Sequence, residues 1–281
     1  MDDQLLFADR SGRGKLRFTG EQRLWFLHQI LTQAFEDMVP GEARDAAFIT
    51  VHGRMKAFME CVTTDDALLM HYEPELHESL PDEIRRYVFA TRVEIEDVTD
   101  SMKLVLVSGD GWRELASRCV PEAVLHPTSS LGVEAGYVWV ERASVDSLVR
   151  ALGEAGAEPV GEDELESIRI SRGVPRWGRE MDEKTFPQEA GVDGHAVHYN
   201  KGCYVGQEAM AKIHFRGKVN RRLALLAADG PLRPGTELNL DDVKIGTVTS
   251  ASDGAALALV RHTVEPGTTL DAGGIAATVA S

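Results

Sequence analysis

The chain has 281 residues, of which 43% are hydrophobic and 27% are charged, and its formal net charge is −15. This composition is typical of a globular protein and differs from that of a disordered one. No uninterrupted apolar run approaches the roughly 18–20 residues that a membrane-spanning helix requires. The acidic balance also disfavours broad binding to nucleic acid, because backbone phosphates demand clustered Lys and Arg side chains.

The three cysteines, Cys61, Cys119 and Cys203, are widely spaced and form no C-x-x-C pair. This spacing argues against a disulfide framework and against a four-cysteine zinc site. The chain starts Met1-Asp2-Asp3, without the basic segment and following apolar segment of a secretory signal. We therefore predict a cytoplasmic location.

Predicted helices and strands alternate through the first 171 residues, and the strands come in hairpin-like pairs. Helical spacing of apolar residues, with capping residues and prolines, predicts helices at 20–33, from 74–81 onward, at 110–119, from 144 onward and at 162–171. Apolar β-rich runs between turn residues predict strands at 46–51, 55–63, 67–71, 93–98, 103–107 and 137–140. Paired strands with helices favour an α+β fold with antiparallel sheets over a doubly wound parallel sheet.

Two later segments differ from this pattern. Between residues 173 and 200, prolines and glycines interrupt any periodicity, which predicts a long loop. A loop longer than about 12–15 residues is usually functional or disordered. Trp177 and Phe186 argue against disorder there. After residue 217, short apolar runs alternate with turn residues, which predicts a small sandwich or barrel. We therefore predict one domain at 1–217 and a β domain at 218–281.

The segment with the most reactive groups is 201–208, Lys-Gly-Cys-Tyr-Val-Gly-Gln-Glu. Its two glycines permit a positive φ and a close approach of other groups. Residues 201–222 carry six Lys and Arg against Glu208 alone, a local charge of +5 in an acidic chain. Such a patch is a candidate anion site, although a solvated strand edge protected by basic residues has the same composition.

Several segments together resemble the YgfZ family, the folate-binding relatives of the glycine-cleavage T-protein, an aminomethyltransferase. The matching segments are 173–180 (Gly-Val-Pro-Arg-Trp-Gly-Arg-Glu), Asp182-Glu183, 187–190 (Pro-Gln-Glu-Ala), 201–208 and Arg216-Gly217. The K-G-C-Y-x-G-Q-E element is the hallmark of that family. The resemblance implies two ferredoxin-like subdomains around a central channel that takes tetrahydrofolate, followed by a small C-terminal β-barrel.

The resemblance also implies a function and a site. Members of the family support the assembly, protection or repair of iron–sulfur proteins, including enzymes that modify tRNA, so iron–sulfur proteins are the expected partners besides folate. Cys203 and Lys201 are the expected reactive pair, because a nearby cation raises the thiolate fraction of a cysteine. The expected folate-binding residues are Tyr204, Gln207, Glu208, Arg216, Trp177 and Phe48.

Each of these roles has a structural alternative. Cys203 has the alternative of a buried structural cysteine, and Lys201 that of a solvated strand-end lysine. Tyr204 can stack on a flat heterocycle or pack in the core with its hydroxyl satisfied. Gln207 and Glu208 can match the donors and acceptors of a pterin edge, or stabilise a turn.

One departure from the aminomethyltransferases concerns catalysis. Those enzymes carry an Asp-Asp pair after the hairpin glycine, where this chain has Ala57 and Phe58, and neither residue can act as a general base. A folate-dependent one-carbon transferase or demethylase therefore remains an alternative that depends on Glu60, the nearest carboxylate. A pure interaction protein with a vestigial channel is a third possibility.

A metal site is not predicted. His195, His198 and Cys203 form an H-x-x-H-x-x-x-x-C pattern whose donors suit zinc or iron. The spacing is not a standard one, and a fourth ligand is not evident.

Overall fold

The computed structural model describes residues 4–217 and 219–280. Its first part is built from short strands and helices in alternation. The strands are β1 (Leu6–Asp9), β2 (Gly14–Thr19), β3 (Ala43–Ile49), β4 (Met55–Thr63), β5 (Ala67–Tyr72), β6 (Glu94–Asp97), β7 (Met102–Ser108), β8 (Val124–Pro127), β9 (Ala135–Glu141) and β10 (Glu158–Pro159). The helices are α1 (Arg23–Ile30), α2 (Leu80–Arg85), α3 (Trp112–Cys119), α4 (Val145–Glu154) and α5 (Glu162–Ser171), with 3₁₀ turns at Pro74–Leu76 and Arg142–Ser144.

These strands form two sheets that pack against each other. Sheet I has the strand order β3-β4-β5-β2-β6, and sheet II has the order β10-β1-β7-β9-β8. Neighbouring strands are antiparallel except β1 and β10. Buried apolar side chains of both sheets, such as Leu69 and Leu106, meet in one cluster. The outer face of sheet I packs against α1 and forms a second core, and the outer face of sheet II packs against α3 and α4 and forms a third.

The alternation of side chains along β4 decides what faces the space between the sheets. Successive side chains of a strand point to opposite faces. Ala57 and Met59 pack in the core of sheet I on the α1 side. Phe58 and Glu60 point the other way and line a cavity.

The connection after α5 is mostly irregular, as the sequence predicts, with two one-turn helices. These are α6 (Pro187–Ala190) and α7 (Asp193–Ala196). A longer helix, α8 (Gln207–Arg216), follows the 201–208 segment. The α8 helix was not predicted, because the basic residues of this segment resembled those of a strand edge.

The C-terminal part is a closed barrel. Its strands are β11 (Arg221–Ala228), β12 (Glu237–Leu240), β13 (Val243–Ser252), β14 (Ala255–Arg261), β15 (Thr269–Asp271) and β16 (Ala276–Val279). They close in the order β11-β14-β13-β12-β15-β16. Buried Arg169 of α5 donates to Ser250 Oγ of β13 at 2.8 Å, and this hydroxyl donates to Glu180 at 2.5 Å. A buried polar contact thus fixes the barrel to the rest of the chain.

The predicted α+β fold with a C-terminal barrel is confirmed. The bounds of β4 and α5 agree with the prediction, whereas α1 is shorter than the predicted 20–33 and β1, β2 and β8 were missed. No helix in the described part of the chain combines the length and the apolar character needed to cross a membrane.

Candidate functional site

Two adjoining cavities lie between β4, residues 130–131 and the connection after α5. The larger has a volume of about 410 Å³, and the smaller about 50 Å³. We call them together the central cavity, because they share the lining residues Phe58, Glu60, Ser130 and Pro175. Trp177 lines the smaller part.

A row of polar residues crosses the inner face of sheet I beside this cavity. Asp45 pairs with Glu60, Glu60 with His71, and His71 with Lys15 on adjacent strands. Glu60, His71 and Lys15 are at most 2% exposed. Polar side chains are rarely buried at this density without a specific role, which makes the row part of the candidate site.

Glu60 has a carboxyl group that can gain or lose a proton near neutral pH. Burial raises its pKa to about 7, against the opposing influence of the Arg13 guanidinium. Arg13 Nη2 donates to Glu60 Oε1 at 3.3 Å, and Thr128 Oγ1 donates to Oε2. Burial also raises the pKa of Asp45, to about 6. Carboxyl groups with such pKa values can donate a proton to a ligand or accept one from it.

The end of the central cavity near Arg13 and Arg176 is lined by positive and negative side chains that pair with each other. Arg13 and Arg176 both contact Glu73, at 3.0 Å and 3.2 Å. Arg176 also contacts Glu166 at 2.9 Å. The guanidinium groups are thus neutralised by carboxylates, so this end is not a free anion site.

Asp45 marks the other end, where a further cavity of about 490 Å³ adjoins. Its carboxylate accepts a hydrogen bond from Ser129 Oγ at 3.1 Å and lies 3.4 Å from His195 Nε2. The His195 side chain is 45% exposed, so the central cavity reaches solvent near this residue.

The hallmark lysine has a structural position. Lys201 Nζ donates to the carbonyl oxygens of His28, Leu31 and Gln33 at 2.5–2.7 Å. These carbonyls lie at the end of α1 and just beyond it. Burial lowers the pKa of Lys201 to about 7, whereas the three carbonyls act in the opposite direction because they bind the N–H groups of the ammonium.

The rest of the 201–208 segment lies apart from the central cavity, none of whose lining residues belongs to it. Tyr204 packs in the core of sheet I, with its hydroxyl unpartnered. Gln207 Nε2 donates to the Lys201 carbonyl at 3.2 Å and closes the loop, and Glu208 is exposed in the first turn of α8. Cys203 is exposed. The 201–208 loop thus lies outside the lining of the central cavity, and its role in binding folate stays a prediction.

Gly206 explains how the loop is held. It begins α8 with a φ of 83°, a left-handed conformation that glycine adopts without strain. A Cβ atom there would lie 2.4 Å from the Thr50 carbonyl oxygen at the tip of the β3–β4 hairpin. The loop thus packs directly on the hairpin.

Three of the six residues of the predicted basic patch are engaged within the protein, whereas Lys212 is exposed. Lys201 is buried, Arg221 contacts Glu189 at 3.1 Å, and Arg222 donates to the Val264 carbonyl at 2.8 Å. The Arg216 side chain and Lys218 lie outside what the structure describes.

The other two aromatic residues that were predicted to bind folate, Trp177 and Phe48, have different positions. Trp177 lines the central cavity, and its role in binding folate stays a prediction. Phe48 is fully buried and packs edge-on against Tyr87 at 5.6 Å between ring centroids, away from the central cavity. Asp45, Arg13 and Arg176 were not predicted as site residues. The available signal at Asp45 was an acid directly before an apolar run of the strand.

The fold is that of the aminomethyltransferases. The aminomethyltransferase T of the glycine cleavage system from Bartonella henselae matches with a TM-score of 0.88, covering 99% of this chain and 86% of that one, at 17% identity. Because the identity is low, this likeness establishes the fold alone.

Sequence comparisons add two relatives and one domain. Residues 220–281 match the CAF17 C-terminal β-barrel domain. A putative chloroplastic transferase of Arabidopsis thaliana is 27% identical over 273 residues, which is 90% of this chain but only 63% of the plant protein. An aminomethyltransferase of Rubrobacter xylanophilus is 27% identical over 265 residues, covering 87% and 71% of the two chains. The chain is thus related to the aminomethyltransferases and carries a barrel of the CAF17 type.

Proposed function

We propose that this protein binds tetrahydrofolate in the central cavity and supports iron–sulfur proteins through a separate surface at Cys203. The observation that carries the first half is the lining of the cavity. Phe58 and Trp177 provide aromatic surface, and Asp45 and Glu60 provide carboxyl groups with pKa values near neutral. A pocket that combines aromatic surface with converging polar groups suits a flat heterocycle with a hydrogen-bonding edge.

The aminomethyltransferase fold supports the same ligand class, because the relatives that share it are aminomethyltransferases. The volume of the larger part, about 410 Å³, lies within the usual range for small-molecule sites. The carboxyl groups of Asp45 and Glu60 and the aromatic rings would hold the pterin of the folate. Its glutamate tail would extend toward His195 and solvent.

Titration calorimetry with tetrahydrofolate tests this assignment. The wild-type protein is expected to bind with a Kd in the micromolar range, and Val174→Trp is expected to weaken binding at least about 10-fold, because Val174 lines the cavity and an indole fills it. Val243→Trp, on the exposed barrel surface, is the matched control. Absence of heat at high micromolar ligand, or equal affinity of Val174→Trp, contradicts the assignment.

The second half of the proposal concerns iron–sulfur proteins. It rests on the hallmark segment 201–208 and on the exposure of Cys203 on a loop fixed by Lys201 and Gly206. An exposed thiol can contact a cluster or a redox partner, whereas the buried Cys61 cannot. The folate site and the thiol are then two separate functional sites.

A one-carbon transferase is the second candidate, and the position of Glu60 in the central cavity favours it. Even so, we predict no glycine-cleavage aminomethyl transfer. Phe58 lines the cavity without an ionisable group, Ala57 points into the core, and Glu60 is already bound by Arg13 and Thr128. The carboxylates that the aminomethyltransferases carry at these two positions are thus missing, and the carboxyl groups that can exchange protons here, Asp45 and Glu60, stand at other positions.

An assay of methylenetetrahydrofolate formation from an aminomethyl donor checks this prediction. The expected rate is that of the buffer control. A rate well above it, lost in Glu60→Gln, would establish the transferase instead.

A further inference from the structure

The space between the two sheets contains a second cluster, of which the proposed function uses only Glu60. Glu60 of β4, His71 of β5 and His126 of β8 each place a donor atom within 4.8 Å of the others. His71 Nδ1 lies 3.9 Å from Glu60 Oε1, and the centroids of the two imidazole rings are 4.9 Å apart. All three side chains are at most 2% exposed.

The imidazole groups of this cluster lack hydrogen-bond partners. Both ring nitrogens of His71 and the Nε2 atom of His126 are buried without a partner. Buried polar atoms in folded proteins are nearly always satisfied, and an orphaned one points to a bound water or ion. Three such atoms in one place, beside a carboxylate, are an independent indication of a ligand.

The donor set has a definite chemical preference. Burial and the charge of Arg13 lower the pKa of His71 and of His126, so both rings are neutral, and a neutral imidazole offers one lone pair to a metal ion. Two imidazoles and one carboxylate suit a divalent first-row transition metal such as Zn²⁺ or Fe²⁺. A calcium or magnesium site would instead be formed by oxygen ligands.

The surrounding charges are mixed. The positive charges of Arg13, Lys15 and Arg10 repel a cation at this place. The Lys15 ammonium is itself bound to the carbonyls of Ser11 and Arg13. Asp45 and Glu73 act on Glu60 with negative charge. Together with Glu60, these carboxylates offset the positive charges of the arginine and lysine side chains that surround the proposed divalent ion.

Existing contacts compete with metal binding, and those of Glu60 with Arg13 and Thr128 are among them. Trp139 Nε1–H donates to His126 Nδ1 at 3.4 Å. A ring that binds metal through Nε2 carries its proton on Nδ1, so this contact has to open. At 3.4 Å it is a long hydrogen bond, and opening it costs little.

From this geometry we propose that Glu60, His71 and His126 bind one divalent transition-metal ion between the sheets. Glu60 and His71 belong to sheet I and His126 to sheet II, so the ion would connect the two. Of the three residues, only Glu60 lines the central cavity, which places the ion behind the cavity wall. The metal site thus shares Glu60 with the proposed folate site, whereas His71 and His126 belong to the metal site alone.

Titration of the metal-free protein with Co²⁺ tests the proposal, because inner-sphere Co²⁺ gives visible absorption bands. We expect one equivalent to bind and to raise the Tm. His71→Gln and His126→Gln are each expected to weaken binding at least about 100-fold, while His262→Gln, on the exposed barrel surface, leaves it unchanged.

Two further measurements do not depend on the folding of the buried-histidine variants. Trp139→Phe removes the competing donor and is expected to tighten Co²⁺ binding. A wild-type crystal soaked in Co²⁺ is expected to show an anomalous peak within bonding distance of all three side chains. Absence of the bands, absence of the peak, or a water molecule alone at this position overturns the proposal.

Discussion

Cys203→Ala is expected to abolish support of iron–sulfur enzymes in cells while leaving folding and tetrahydrofolate binding at wild-type levels. The thiol is exposed, so its removal costs little packing. It also lies outside the lining of the central cavity, so the folate site is untouched. The measurement is the activity of iron–sulfur enzymes in cells whose own protein is replaced by the variant.

Cys119→Ala is the matched control, because Cys119 is partly buried in α3 and is expected to have no functional role. A thiol-specific alkylating reagent provides a second check in vitro. Burial raises the pKa of Cys61 and of Cys119, so Cys203 should be labelled first. Full iron–sulfur support by Cys203→Ala, or faster labelling of Cys61, would show that this loop is not the active centre.

Lys201→Met is expected to lower the free energy of unfolding by about 3 kcal/mol, since each buried polar group left unpaired costs about 1–3 kcal/mol. The substitution leaves the carbonyls of His28, Leu31 and Gln33 without their donor. Removing a buried charge recovers part of this cost, because the ammonium no longer has to be desolvated. Urea unfolding monitored by circular dichroism gives the value.

Lys212→Met is the control for this substitution, because Lys212 is exposed on α8 and should change stability by less than about 0.5 kcal/mol. We also expect Lys201→Met to loosen the 201–208 loop, which should appear as faster hydrogen exchange at Cys203 and Tyr204. Equal stability of the two variants would mean that the three carbonyls find other partners and that the lysine is not a structural cap.

The local structure of this chain follows closely from its sequence where patterns are strong. The β4 strand and the α5 helix have the bounds that apolar alternation and an acidic helix start predict. The β-barrel follows from the regular spacing of turn residues after residue 217. The short strands β1, β2 and β8 were missed because few residues carry the pattern, and α8 was missed because its stability comes from packing against the hairpin rather than from its own periodicity.

The arrangement of the candidate site depended more on the tertiary structure than on the sequence. The sequence by itself determined the fold class and singled out Cys203, Lys201 and Trp177 as residues of interest. Only the tertiary structure decided that Lys201 closes the end of α1, that Phe48 is a core residue, and that Asp45 and Glu60 face one cavity. The physical reason is that β pairing joins residues far apart in the chain, such as Asp45, Glu60 and His71, into one row. Their burial, and with it their pKa values, depends on a second sheet that no local pattern specifies.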